Sequence, residues 1–291
     1  MKKIVKVGSR ESKLAVIQAE MVMRSICKSH PDIETKLVTM SSFGDKNTTQ
    51  SLDSIGKANL FSDTLEQALY DGEIDIAVHS YKDLPIDLGG DLPIVALGER
   101  ANPFDALVIR ADAPDDAVIG TSCKRRALQI VQLYPDFTAE NIRGAVTSRL
   151  DQMDSGDYDG LILAVAGLDR LGLGGRIGRI FTPDEIVPSA CQGIVAVQGR
   201  KNEDYNYLSG FDCDQSHIVS QAEISFVRAL NQNGSSYNNG VYAEISGNEI
   251  QITGIFITDQ NEIIKGKVSG DVSESIELTD KLIKQILDRS L

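Results

Sequence analysis

Six arginines and one aspartate stand out by type and place. Arg10 sits just after a strand-like run, KIVKVG. Arg125 and Arg126 open a helical stretch just after Gly120-Thr121-Ser122, Arg143 and Arg149 flank a loop, and Arg176 follows LGLGG. In an open α/β lobe these are strand ends and helix starts, where unpaired backbone N–H groups already favour an anion. A guanidinium grips a carboxylate or phosphate with two parallel hydrogen bonds. Such a set suits a ligand bearing several negative charges; the plainer alternative is surface arginines in salt bridges. Asp83 follows Lys82 at the end of the apolar run IDIAVHS. A carboxylate beside cations is ionised and can steady a developing positive charge or move a proton. It can equally cap the turn before Pro85.

Other chemistries find less support. His79 reads as a satisfied core histidine rather than a base. LGLGG lacks the GxGxxG and GxxxxGK[ST] spacings and reads as a turn, and no GxSxG marks a serine nucleophile. Four cysteines (Cys27, Cys123, Cys191, Cys213) and three histidines are scattered, with no CxxC. That pattern fits reduced thiols and no metal site.

The elements that must position these groups alternate strand and helix. Residues 3–8 read as a strand. Leu14, Ile17, Met21 and Val22 form the apolar stripe of a helix stopped near His30-Pro31. IETKLVTM is a second strand. The polar stretch SSFGDKNTTQSLDSIGKAN is too long for an ordinary connection, and functional or mobile roles suit it. A helix with Phe61, Leu65 and Leu69 on one face then leads to IDIAVHS. That order implies a mostly parallel sheet with ligands at the strand C-terminal ends. The pattern restarts near 105 with DALVIR, VIGTSCKRRALQIVQLYP, AENIRGAVTSRL and GLILAVAGLDRLGL. In its first helix Ala127, Ile130, Val131 and Tyr134 share a stripe. GERANPFD is a candidate crossing between lobes, and IVAVQGR reads as a strand returning to the first. After about residue 215, a helix, three strands broken by Gly-Asn and Asp-Gln-Asn turns, and a last helix over 273–289 describe a small α+β domain with an antiparallel sheet. The expected domains are 1–98 plus 194–213, 101–190, and 216–291.

Composition narrows the function classes. With 29 Lys+Arg against 42 Asp+Glu the 291-residue chain carries −13, which disfavours a nucleic-acid partner. No run approaches the 18 or more apolar residues of a membrane span. The N-terminal lysines precede no apolar segment, so no secretory signal is expected and the cytoplasm is the default.

The stretches VGSRESKLA, DIAVHSYKDLP, IGTSCKRRALQ, IRGAVTSRL, YDGLILAVAGLDRLGL and ACQGIVAVQGR, in this order, resemble the porphobilinogen deaminase (hydroxymethylbilane synthase) family over nearly the whole chain. The resemblance implies α/β architecture: two doubly wound lobes like type II periplasmic binding proteins with an active cleft between them, plus a small C-terminal α+β domain. It implies a transferase of tetrapyrrole and heme biosynthesis that joins four porphobilinogen units and releases ammonia, growing the chain on a dipyrromethane cofactor held by a thioether to cysteine. Asp83 matches the catalytic aspartate. Arg10, Ser12, Lys82, Arg125, Arg126, Arg143, Arg149 and Arg176 match residues holding acetate and propionate carboxylates. The implied partners are small carboxylate-bearing pyrroles, and the implied state is a monomer.

Departures from the family pattern gather around cofactor handling. The cofactor loop reads NGSSYNNGVYAE, which puts Ser235 where the attachment cysteine belongs. Ala58 replaces a lysine, and Ala145 and Thr147 replace Asn and Gly of the RGN-x-GTR pattern. A serine hydroxyl is a far poorer nucleophile than a thiol, so attachment by the usual route is not expected. Two readings follow: a hydroxymethylbilane synthase, or a non-catalytic paralogue binding linear pyrroles or another polycarboxylate. A solute-binding protein fits the lobes but lacks an export signal.

Overall fold

The structure, a computed structural model, describes residues 3–41, 63–88, 90–232 and 239–289. The chain divides into two compact units. One comprises residues 1–101, 170–172 and 193–216; the other comprises 102–169, 173–192 and 217–291.

In the first unit, β1 (Lys3–Arg10), α1 (Lys13–Ser29), β2 (Ile33–Met40), α2 (Asp63–Tyr70), β3 (Ile76–Ser80) and β4 (Ile94–Leu97) precede a strand contributed much later in the chain. The second unit supplies β5 (Asp105–Ile109), β6 (Val118–Gly120), α3 (Lys124–Leu133), β7 (Thr138–Glu140), α4 (Val146–Asp154) and β8 (Gly160–Ala164). Then come α5 (Val165–Arg170), β9 (Arg179–Ile180) and β10 (Val195–Gly199), which is the late strand of the first sheet. The last elements are α6 (Asp214–Gln232), β11 (Gly240–Ser246), β12 (Glu249–Ile257), β13 (Ile263–Asp271) and α7 (Ser275–Leu287).

The first sheet is ordered β2-β1-β3-β10-β4 and the second β7-β6-β8-β5-β9. Both are mixed, which corrects the expectation of a mostly parallel sheet. β1 runs parallel to β2 and β3, while β10 is antiparallel to β3 and β4. β6 is likewise parallel to β7 and β8, while β5 opposes β8 and β9. The opposing strand is in each case the one entering at a crossing. Parallel pairing needs a long helical crossover, and these strands arrive without one. The third sheet, β11-β12-β13, is antiparallel throughout, as the turn signals imply.

Burial explains the apolar runs. In β5, Ala106 and Val108 face one core cluster and Leu107 the other; in β8, Leu161 and Leu163 oppose Ile162 in the same way. A strand covered on both faces reads as continuous apolar sequence rather than alternation. Under α6, Gly254 lies so close to Phe226 that a Cβ would sit 2.4 Å from the ring.

Two helices bury faces other than those expected. In α1 the buried residues are Ala15, Gln18, Ala19, Val22 and Ile26, while Leu14, Ile17 and Met21 are only partly covered. Small alanines let the helix approach its sheet closely, so bulk alone misplaces the stripe. In α3 the buried face carries Arg125, Arg126, Gln129 and Ile130. These polar side chains are tolerated inside because each finds partners there.

Candidate functional site

In the first unit a small cavity of about 60 Å³ is lined by Arg10, Ser12, Gln18, His79, Ser80 and Asp83 among others. Each arrives by a simple local route. Arg10 ends β1. Ser12 is the N-cap of α1, its Oγ accepting from the Ala15 amide at 3.4 Å. His79 and Ser80 end β3, and Asp83 closes the 3₁₀ turn Tyr81–Asp83. That turn is pinned at both ends, because the Tyr81 amide donates to Ile194 O at 3.0 Å and the Leu84 amide to Tyr81 O at 3.1 Å. Gln18 braces it from α1, donating to Ser80 Oγ at 2.8 Å and accepting from it at 3.1 Å. Lys82 and Asp83 are exposed on the turn.

His79 differs from a satisfied core histidine. It is 7% exposed, and its buried Nε2 has no hydrogen-bond partner of acceptable geometry among the described residues. Burial pulls its pKa down to about 4, opposed by the nearby Gln198 side chain and assisted by the Arg10 guanidinium. The ring is therefore neutral at pH 7, and Arg10 rather than His79 supplies positive charge on that side of the pocket.

The second unit holds Arg125 and Arg126. Asp105, fully buried at the head of β5, accepts from Arg125 Nη2 at 2.9 Å, Arg126 Nε at 3.1 Å, Arg126 Nη2 at 2.7 Å and Gln192 Nε2 at 2.8 Å. Burial would raise its pKa, but the two guanidiniums and these hydrogen bonds hold it well below the ordinary carboxylate range. Arg125 also donates to Val187 O, and Arg126 Nη1 to Ile162 O at 3.2 Å. Arg125 is 1% exposed, and its Nε has no hydrogen-bond partner among the described residues. Its side chain lies against Gly240, where a Cβ would come within 2.9 Å of Arg125 Cδ. Beside them, Cys123 occupies the N-cap position of α3, its side chain making no capping hydrogen bond among the described residues. Burial pushes its thiol up, but Arg125, Arg126 and the Arg126 amide outweigh that and leave the pKa lowered.

The remaining expected arginines of this unit stand apart from that pair. Arg149 Nε donates to Gly144 O at 2.8 Å, where Gly144 takes a φ of 112°. The Arg143 carbonyl accepts from Gln152 Nε2 at 3.2 Å. Arg176 sits in an open groove with Arg110 and pairs with Asp154 at 2.5 Å. Arg10, Ser12 and Asp83 thus share one pocket, Arg125 and Arg126 share one carboxylate, and Arg176 faces its own acid. Ser235 and Ala58 lie outside the described residues. Asp105 and Gln192 escaped sequence reasoning; the only signal was an acidic residue opening an otherwise apolar strand.

Chemically, the arrangement offers guanidiniums for carboxylates and an exposed carboxylate for proton or cation chemistry. Among the described residues no group of three or more His, Cys, Asp and Glu could hold a metal ion, and no helix is long and apolar enough to cross a membrane.

Comparison with known proteins gives this chemistry a context. Residues 5–207 match the family model described as porphobilinogen deaminase, dipyrromethane cofactor binding domain. The chain is 45% identical over 287 residues to the porphobilinogen deaminase of Ruminiclostridium josui, covering 98% of each protein. It is 46% identical to that of Acetivibrio thermocellus over 97% of this chain and 98% of the relative, and 38% identical to that of Nostoc over 94% and 88%. Among solved structures it is similar to the periplasmic aliphatic sulphonate binding protein SsuA from Escherichia coli, with a TM-score of 0.41 and 11% identity over 99% of this chain and 79% of that one. A family model spanning most of the chain and relatives matched nearly end to end agree: this chain belongs to the porphobilinogen deaminase family.

Proposed function

We propose that the chain is a hydroxymethylbilane synthase, a transferase that joins four porphobilinogen units into a linear tetrapyrrole with release of ammonia. The observation that carries this reading is the convergence of Arg10, Ser12 and Asp83 on one pocket. At each step the aminomethyl C–N bond breaks and the nitrogen leaves as ammonia. A C–C bond then forms to the free α-carbon of the neighbouring pyrrole, which gives up its proton. Asp83 faces the cationic carbon during this exchange, lowering its energy, and passes the proton between the leaving and joining groups. Arg10, Ser12 and Lys82 hold substrate carboxylates beside it. Arg143, Arg149 and Arg176 hold further acetate and propionate groups.

The donor set also fits the dipyrromethane cofactor. Arg125 and Arg126 meet one carboxylate between them, and a buried guanidinium N–H with no partner is suited to a carboxylate oxygen. When bound, that group supplies the pyrrole position from which the chain grows. This reading carries with it cytoplasmic location, a monomeric state and small pyrroles as the only ligands.

Ser235 favours a second reading, in which the protein binds linear pyrroles or another polycarboxylate without turnover. Incubation with porphobilinogen separates the two. Stoichiometric ammonia release, with a linear tetrapyrrole that closes to uroporphyrinogen with loss of water, supports the first. Binding of porphobilinogen by calorimetry without ammonia supports the second. Absence of porphobilinogen binding overturns the first, and failure to bind a linear tetrapyrrole as well overturns the second.

A further inference from the structure

We propose that Asp105 is a positioning residue for this reaction: it orients Arg125 and Arg126 and cancels one of their two charges, so that the cluster receives a single carboxylate of the pyrrole ligand. The inference rests on the function proposed above and adds to it a residue that neither the motifs nor the pocket around Asp83 includes.

The geometry is that of a device for holding guanidiniums. Both Asp105 oxygens are engaged, Oδ2 by Arg125 and Oδ1 by Arg126 through two of its nitrogens. Gln192 locks the carboxylate from the other side. Its Nε2 donates to Asp105 Oδ1 at 2.8 Å and to Pro103 O at 2.7 Å, and its Oε1 accepts from Arg126 Nη2 at 3.2 Å. The side chains of Asp105 and Arg125 are 0% and 1% exposed, and that of Arg126 is 9% exposed.

Charge arithmetic then points to a ligand. Two guanidiniums against one carboxylate give this three-residue cluster a net positive charge, which suits an acidic ligand. The Nε of Arg125, buried and without a hydrogen-bond partner among the described residues, lies on the same cluster. Without Asp105 the pair would carry two charges and lose its orientation. With a second acid it would carry none and lose its attraction for the ligand.

Steady-state kinetics with porphobilinogen on the full chain test this through a charge swap. Asp105→Asn raises the cluster to two positive charges and loosens the arginines; kcat should fall by roughly tenfold or more while KM does not rise. Gln192→Glu neutralises the cluster and should raise KM by about tenfold with a smaller effect on kcat. The double variant Asp105→Asn/Gln192→Glu returns the carboxylate to a neighbouring position and should recover both constants to within roughly threefold of wild type. A double variant no better than its worse parent, or losses that follow melting temperature with no split between KM and kcat, would overturn the assignment. Should Asp105→Asn fail to fold, Gln192→Glu still decides, because an unchanged KM there refutes the charge count. Failure of wild type to bind porphobilinogen in calorimetry would instead strike the underlying functional reading.

Discussion

Gln18 and Ser80 bond each other in both directions, amide to hydroxyl at 2.8 Å and hydroxyl to amide oxygen at 3.1 Å, although they lie 62 residues apart. The pair ties the buried face of α1 to the last residue of β3, immediately before the turn that carries Asp83. Gln18→Leu removes it while keeping bulk. Loss of the bond and exposure of its orphaned partner should cost about 1–2 kcal/mol in urea unfolding, and turnover should drop because the Asp83 turn loses its brace. Unchanged stability and unchanged ammonia release would show that the turn is held by its backbone bonds alone.

Asp83 itself is exposed and contributes little to the fold. Asp83→Ala should leave stability within about 0.5 kcal/mol of wild type while abolishing ammonia release. Retained turnover would mean that another carboxylate does the work.

His79 should leave a mark on acid stability. Its folded pKa of about 4 lies below the 6.5 of a free imidazole. Between those values the unfolded chain takes up a proton that the folded chain refuses, so stability falls as the pH is lowered through the window. The full loss is on the order of 3 kcal/mol. The slope of unfolding free energy between pH 6.5 and 4 should flatten in His79→Gln. The same slope in both proteins would mean the ring charges freely inside the fold.

Gly240 opens β11 at the point where Arg125 and two carbonyls converge. A Cβ there would lie 2.9 Å from Arg125 Cδ, 2.9 Å from Val187 O and 3.0 Å from Pro188 O. Carbonyls of a packed segment cannot swing aside as a side-chain tip can, so Gly240→Ala should destabilise by about 1–3 kcal/mol. A melting temperature equal to wild type would show that the segment yields.

Ser235→Cys restores the side chain expected for thioether attachment. Intact-mass measurement after expression should show the variant heavier by two pyrrole units, with wild type at its polypeptide mass. A wild type already carrying that mass would identify another tether, and an unmodified variant would place the defect elsewhere in cofactor loading.

Much of the architecture was legible because burial on both faces writes itself as apolar runs: DALVI, GLILA and VAVQG are each strands where the pattern places them. Strand direction was not legible, since β5 and β10 read the same whichever way they pair. Helix faces failed where the buried residues were small or charged, as Ala15 and Ala19 in α1 and Arg125 and Arg126 in α3. The arginines could be found by their place after strands, but Asp105 could not. A single acid before four apolar residues carries no spacing that distinguishes a buried counter-ion from a strand cap.

Glu223 of α6, fully buried, accepts the Cys191 amide at 2.6 Å and the Ala243 amide at 2.7 Å. During synthesis the amide at 191 leaves the ribosome before its acceptor does, and position 243 follows later still. The segment leading into β10 must therefore wait, provisionally hydrated, until the final quarter of the chain has been translated. Maturation of the second unit should lag behind that of the isolated β5–β9 pattern, and a chain stalled with residue 215 just outside the ribosome should present this stretch to proteases.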